Sequence, residues 1–122
     1  MSRILVRAVG ARSFALLAPL LGGTLPSTAA ALPLISEVFY DAVGSDDGQS
    51  FVELYATPGT DLTGLLVEGV NGANGAVTVS IALSGVVPDD GFFVVADAQG
   101  AGPTLVPEAD LVASFDFQNG PD

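Results

Sequence analysis

The densest group of chemically capable side chains is the segment 41–53 (DAVGSDDGQSFVE), which places Asp41, Asp46 and Asp47 within seven residues and ends on Glu53. Hard cations such as Ca²⁺ take about six to eight oxygen ligands from carboxylates, carbonyls and water, and an acidic, glycine-bearing loop outside the cell supplies them. A structural Ca²⁺ held by Asp41, Asp46, Asp47 and Glu53, with Glu37 nearby on the preceding strand, is one reading of this loop, and it would make the protein a Ca²⁺-dependent extracellular binding module. The other is a solvated Asp and Gly turn with no ligand. The pair Asp46 and Asp47 could in principle act as acid and base on a glycoside, but adjacent residues of one loop rarely face each other across a substrate. A second segment, 97–108 (DAQGAGPTLVPE), carries Asp first, Gly sixth and Glu twelfth, as an EF-hand loop does. Its third and fifth positions are Gln99 and Ala101, and its flanks have strand rather than helix patterns, so it is read as a connection. Gly69, Gly72 and Gly75 do not form a phosphate-binding glycine pattern, and Asn71, Asn74 and Asn119 lack the Ser or Thr of an N-glycosylation acceptor.

What the chain lacks is equally restrictive. Its 122 residues include no His, no Cys and no Lys. A Ser-His-Asp triad, a Cys-His nucleophile, a zinc-finger ligand set, a disulfide framework, Schiff-base chemistry and a phosphate-loop lysine are all excluded. The expectation is a protein that is not an enzyme and needs no cofactor, with a structural Ca²⁺ as the one candidate addition.

The 3 basic and 14 acidic residues occupy different parts of the chain. Arg3, Arg7 and Arg12 lie in the first twelve positions, and no acid precedes Glu37. After the arginines come an apolar run at 14–21 (FALLAPLL) and an Ala-rich tract at 27–31. A basic start, a short apolar run and a small-residue exit have the form of a secretory signal peptide, with cleavage after Ala31 satisfying the small-x-small rule. The apolar run is shorter than the roughly 20 residues a spanning helix needs. Removal of residues 1–31 leaves 91 residues with a formal charge of −14 and no basic side chain. Such a polyanion cannot neutralise phosphates and is repelled by anionic lipid, so neither nucleic acid nor membrane insertion is expected after cleavage. The expected location is extracellular, at the cell surface or in a periplasm. The expected partner is a protein or a neighbouring domain of a larger polypeptide.

Positioning of the acidic loop falls to short strands. The 12 Gly and 6 Pro of residues 32–122 leave little room for helices, and the gaps between them hold apolar runs of strand length. Strands are predicted at 34–40, 51–55, 65–70, 77–83, 92–96 and 111–115. The turn 71–75 (NGANG) makes 65–70 and 77–83 a hairpin. Pro88 and Gly91 supply the fixed negative φ and the permitted positive φ of a turn before 92–96. The irregular stretch 97–109 is predicted to be a crossing connection. The predicted core is Ile35, Val38, Phe39, Val52, Leu54, Leu62, Leu65, Val67, Ile81, Leu83, Phe92, Val94, Leu111 and Phe115.

The ordered pieces 35–41 (ISEVFYD), 44–48 (GSDDG), 51–55 (FVELY), 61–64 (DLTG) and 90–95 (DGFFVV) resemble a bacterial lamin tail domain. The likeness spans residues 34–122, and 115–122 (FDFQNGPD) is similar to the N-G-x-D turn that precedes a further strand in that family. The resemblance implies an all-β, immunoglobulin-like β-sandwich and an accessory, structural or protein-interaction role on secreted or surface proteins. It also implies structural roles for Glu37 and Glu53. The chain stops at that turn, which implies a domain missing its last strand or strands and an open sheet edge. The basic surfaces of nuclear lamin tails have no counterpart in residues 32–122, so chromatin contact does not carry over.

Overall fold

The computed structural model describes residues 3–9 and 31–117. Among these it is all-β, with seven strands in two sheets and no helix. The strands are β1 (Arg3–Ala8), β2 (Leu34–Phe39), β3 (Phe51–Tyr55), β4 (Leu65–Val70), β5 (Val77–Ala82), β6 (Phe92–Asp97) and β7 (Leu111–Ala113). One sheet has the order β1-β4-β5 and the other β2-β3-β6-β7. Every pairing is antiparallel except β6 with β7, which is parallel and therefore needs the long connection 98–110 between them. The predicted strands from residue 34 onward all form, and 65–70 pairs with 77–82 as the hairpin expected.

The two sheets close on a core in which Val52, Leu54, Leu62, Val67, Val87 and Val95 are fully buried. Each such aliphatic side chain contributes about 1.5–3 kcal/mol relative to an exposed one. Strand β3 is the clearest case, because its alternation sends Val52 and Leu54 inward while Phe51, Glu53 and Tyr55 face out. Leu62 and Val87 plug one end, where 59–65 is laced to 83–87 by Gly59 N–H to Val87 O, Val87 N–H to Thr60 O and Leu62 N–H to Gly85 O. Phe115 and Phe117 pack together at 4.9 Å between ring centres. Gly69 in β4 makes room for them, since a Cβ there would stand 3.2 Å from Phe117 Cδ1.

Three predicted core positions are corrected. Phe39 and Phe92 are exposed and Val94 is only half-buried, whereas Phe93 and Val95 point inward. The run 92–96 (FFVVA) is apolar throughout, so its composition carries no period, and the register is set by the preceding turn and the neighbouring strand. Asp90 Oδ1 accepts the N–H of Phe92 at 3.0 Å, and Phe93 then falls opposite Leu54 of β3. A one-residue slip of this kind exchanges the two faces of a strand.

Residues 3–8, part of the basic start of the expected leader, form the edge strand β1 on β4. The apolar run 14–21, Arg12, most of the small-residue tract and the tail 118–122 lie outside the described residues.

Candidate functional site

Two surfaces collect the residues singled out by sequence. The first is a cleft of about 430 Å³ lined by Asp46, Asp47, Ser50, Asp97 and Asp116, among others. The segment carrying Asp46 and Asp47 reaches it through a turn in which Gln49 N–H meets Asp46 O at 2.8 Å. The structure brings Asp46 and Asp47 together here; Asp41 and Glu53 do not line the cleft. Among the described residues no group of three or more carboxylates is placed to hold a metal ion.

The cleft's carboxylates instead organise backbone. Asp97 ends β6, is only 6% exposed, and accepts the N–H of Gly48 through Oδ2 at 3.0 Å and that of Phe115 through Oδ1 at 2.9 Å. Asp47 Oδ1 accepts the N–H of Gly100 at 2.9 Å. Gly48 is the point where the acidic loop meets the 98–110 connection. Its N–H goes to Asp97, and its carbonyl accepts from Leu105 N–H at 2.8 Å and from the Thr104 hydroxyl at 3.2 Å. A Cβ at Gly48 would lie 2.6 Å from Gln99 Cβ, and its φ of +77° favours glycine in any case. The twelve-residue segment with EF-hand-like spacing is thus the last residue of β6, Asp97, which clasps amides, followed by part of the irregular connection.

Sequence reasoning passed over Asp97 as a structural residue. Its signal was present: a carboxylate ending a run of five apolar residues at 92–96 stays buried only if it is hydrogen-bonded. Further along the sandwich, Asp110 Oδ2 accepts Val94 N–H at 2.8 Å, and exposed Asp61 accepts from Thr63. The Thr63 hydroxyl, then its N–H, holds the Asp61 carboxyl below its usual range.

These partnerships predict the response to Ca²⁺. A site of 10 µM affinity would add about 2.7 kcal/mol of stability at 1 mM Ca²⁺, which a melt reads easily. The melting midpoint is expected to be the same in 1 mM Ca²⁺ and in EDTA. A rise of several degrees would support the ligand reading of Asp41, Asp46, Asp47 and Glu53.

The second surface is the outer face of the four-stranded sheet. Register aligns Leu34, Tyr55 and Phe92 in one row, Glu37, Glu53 and Val94 in the next, and Phe39, Phe51, Ala96 and Val112 in a third. Leu34, Tyr55, Phe39, Phe92 and Val112 are between 39% and 66% exposed. Tyr55 and Phe92 pack at 5.4 Å and Phe39 and Phe51 stack at 5.9 Å, so the aromatic rows are ordered. Beyond the first row a cavity of about 610 Å³ opens between Leu32, Leu34, Tyr55 and Thr60. Glu37 and Glu53 stand directly opposite each other on neighbouring strands. Like charges so placed are unfavourable. The β2 bulge between Ile35 and Glu37 relieves part of this by letting the Ser36 hydroxyl donate to Glu53 Oε1 at 2.7 Å.

Comparisons of the chain with protein-family models, with curated proteins and with solved structures found no match.

Proposed function

We propose that this protein is a secreted, non-catalytic β-sandwich module of immunoglobulin-like, lamin-tail type that works by contact with another protein or a neighbouring domain. The observation that carries the proposal is the outer sheet face, where exposed Leu34, Tyr55, Phe92 and Phe39 surround the carboxylates Glu37 and Glu53. Apolar side chains clustered on one exposed face are a usual mark of an interaction site, and aromatic residues beside a pocket are its usual anchors. The matching partner surface is apolar with a Lys or Arg that reaches between the two glutamates. The lamin-tail assignment rests on the order of motifs, whose pieces 35–41, 51–55 and 90–95 fall on or beside β2, β3 and β6. Secretion rests on the basic, apolar and small-residue order of residues 1–31. The non-catalytic reading rests on the absence of His, Cys and Lys and on the use of Asp47 and Asp97 as amide acceptors.

The test is a photo-crosslinking amino acid placed at Tyr55 in exporting cells, with the same probe at Val77 on the other sheet as control. A discrete crosslinked protein is expected from position 55 and not from 77. Reversing charge with Glu37→Lys and Glu53→Lys together should cut its yield on the order of tenfold. Equal crosslinking from both positions would remove the face from consideration. A hydrolytic activity lost on Asp46→Asn or Asp47→Asn would overturn the non-catalytic reading.

A further inference from the structure

Strand β1 fills a place that the rest of the chain needs filled. It runs antiparallel along the full length of β4, from Arg3 opposite Val70 to Ala8 opposite Leu65, and the ladder continues with Val9 N–H to Gly64 O at 2.9 Å. Ile4 and Val6 turn inward and pack against the core, while Arg3, Leu5 and Arg7 face out. Arg7 Nε lies 3.0 Å from Glu68 Oε2, a side chain only 7% exposed. With β1 in place, β4 is the middle strand of its sheet; without it, β4 is an edge of six residues, four of them Leu or Val. A long apolar edge is the kind of strand that other chains pair with.

Charge makes the vacancy specific. Every basic side chain of the protein lies within residues 1–12, so once these are gone nothing in the chain can put a cationic side chain beside Glu68. This step rests on the reading of residues 1–31 as a cleaved leader. We infer that the β4 edge occupied by β1 is a strand-acceptor site, and that its occupant after leader removal is an extended basic segment of another polypeptide. The bound strand itself gives the recognition pattern: apolar residues at alternate inward positions, matching Ile4 and Val6, and Arg or Lys at the position of Arg7. Main-chain pairing supplies affinity and the alternate side chains supply selectivity. The formal charge of −14 on residues 32–122 steers such basic segments toward the edge.

The test keeps the full chain. A protease site is inserted between residues 10 and 30, the protein is folded and cut, and a fluorescent peptide of residues 1–12 is added while anisotropy and native mass are recorded. The labelled peptide is expected to replace the cut strand at one per chain. A peptide carrying Arg7→Glu should bind about tenfold more weakly, a change of about 1.4 kcal/mol. The Glu68→Arg protein should regain that loss with the Arg7→Glu peptide, which places the selectivity at this ion pair. Val6→Asp in the peptide should abolish binding. A cut strand that never exchanges, or one that leaves with no peptide taking its place, overturns the inference. Dimerisation of the cut protein through β4 also overturns it, by making a second copy the occupant. N-terminal sequencing of the exported protein tests the leader separately, since residues 1–31 found intact would defeat leader removal whatever the exchange result.

Discussion

Phe93→Ala is expected to lower the unfolding free energy by about 3–5 kcal/mol, while Phe92→Ala, one residue earlier in the same strand, costs less than about 1 kcal/mol. Phe93 is 2% exposed, lies opposite Leu54, and its ring reaches to within 3.3 Å of where a Cβ on Gly85 would be. Truncation leaves a cavity in the middle of the sandwich that rigid strands on both sides cannot close. Phe92 is 39% exposed and loses chiefly its packing on Tyr55. Denaturant melts of the two variants measure the difference directly. Equal losses, or a larger loss at Phe92, would mean that β6 sits in the opposite register and that the outer aromatic row is really part of the core.

The same pair of residues marks where the sequence stops being informative. Strand positions were legible because Gly, Pro and Asn clusters cut the chain into apolar runs, and β3 was legible to the face because FVELY alternates. In FFVVA every residue is apolar, so inside and outside are decided by the Asp90 turn and by pairing with β3, neither of which is encoded in a period. Val87 and Phe117 were missed as core because each stands in sequence next to residue types that favour turns, Pro88 in one case and the Asn-Gly pair at 119–120 in the other. Strand β1 was hidden for a different reason. RILVRA satisfies the requirements of a basic leader start and also alternates well enough to pair along β4. The acidic segment was legible as a loop but not as a site. Closeness in sequence put Asp41, Asp46, Asp47 and Glu53 together, whereas the pleat of β3 turns Glu53 to the outer sheet face and leaves it with Ser36.

That separation also explains how so acidic a chain folds with few cations. Among the described residues, besides the pair Arg7 and Glu68, carboxylates accept from amide N–H or hydroxyl groups: Asp97 from Gly48 and Phe115, Asp47 from Gly100, Asp110 from Val94, Asp90 from Phe92, Asp61 from Thr63 and Glu53 from Ser36. An ionised carboxylate accepting a backbone N–H makes a stronger bond than a neutral acceptor does. Turns and strand ends of a β-sandwich offer many such donors. The negative charge is thereby spread over turns and strand ends, while Glu37 and Glu53 stand opposite each other in the central row of the outer face.

Asp97→Ala is expected to cost about 3–5 kcal/mol, an effect as large as that of the core phenylalanine, although the residue removed is polar. The carboxylate satisfies two amides at once, Gly48 through one oxygen and Phe115 through the other, in a setting only 6% exposed. Each buried donor left unsatisfied costs about 1–3 kcal/mol. Asp97→Asn is expected to recover only part of the loss, about half, because its single acceptor oxygen can serve one amide while the NH₂ group opposes the other N–H. Asp110→Asn is the control: its one recorded amide bond, to Val94, uses a single oxygen on an exposed side chain, so less than about 1 kcal/mol should be lost. Gly48→Ala attacks the same junction from the other side through its clash with Gln99 and its φ of +77°. The double variant Asp97→Ala with Gly48→Ala should therefore lose clearly less than the two single losses added, since either change already unseats the loop from the connection. Amide exchange at Gly48, Leu105 and Phe115 should accelerate together in both single variants. Fully additive losses, or exchange that speeds up at Phe115 alone, would show that Asp97 holds two separate contacts rather than one junction.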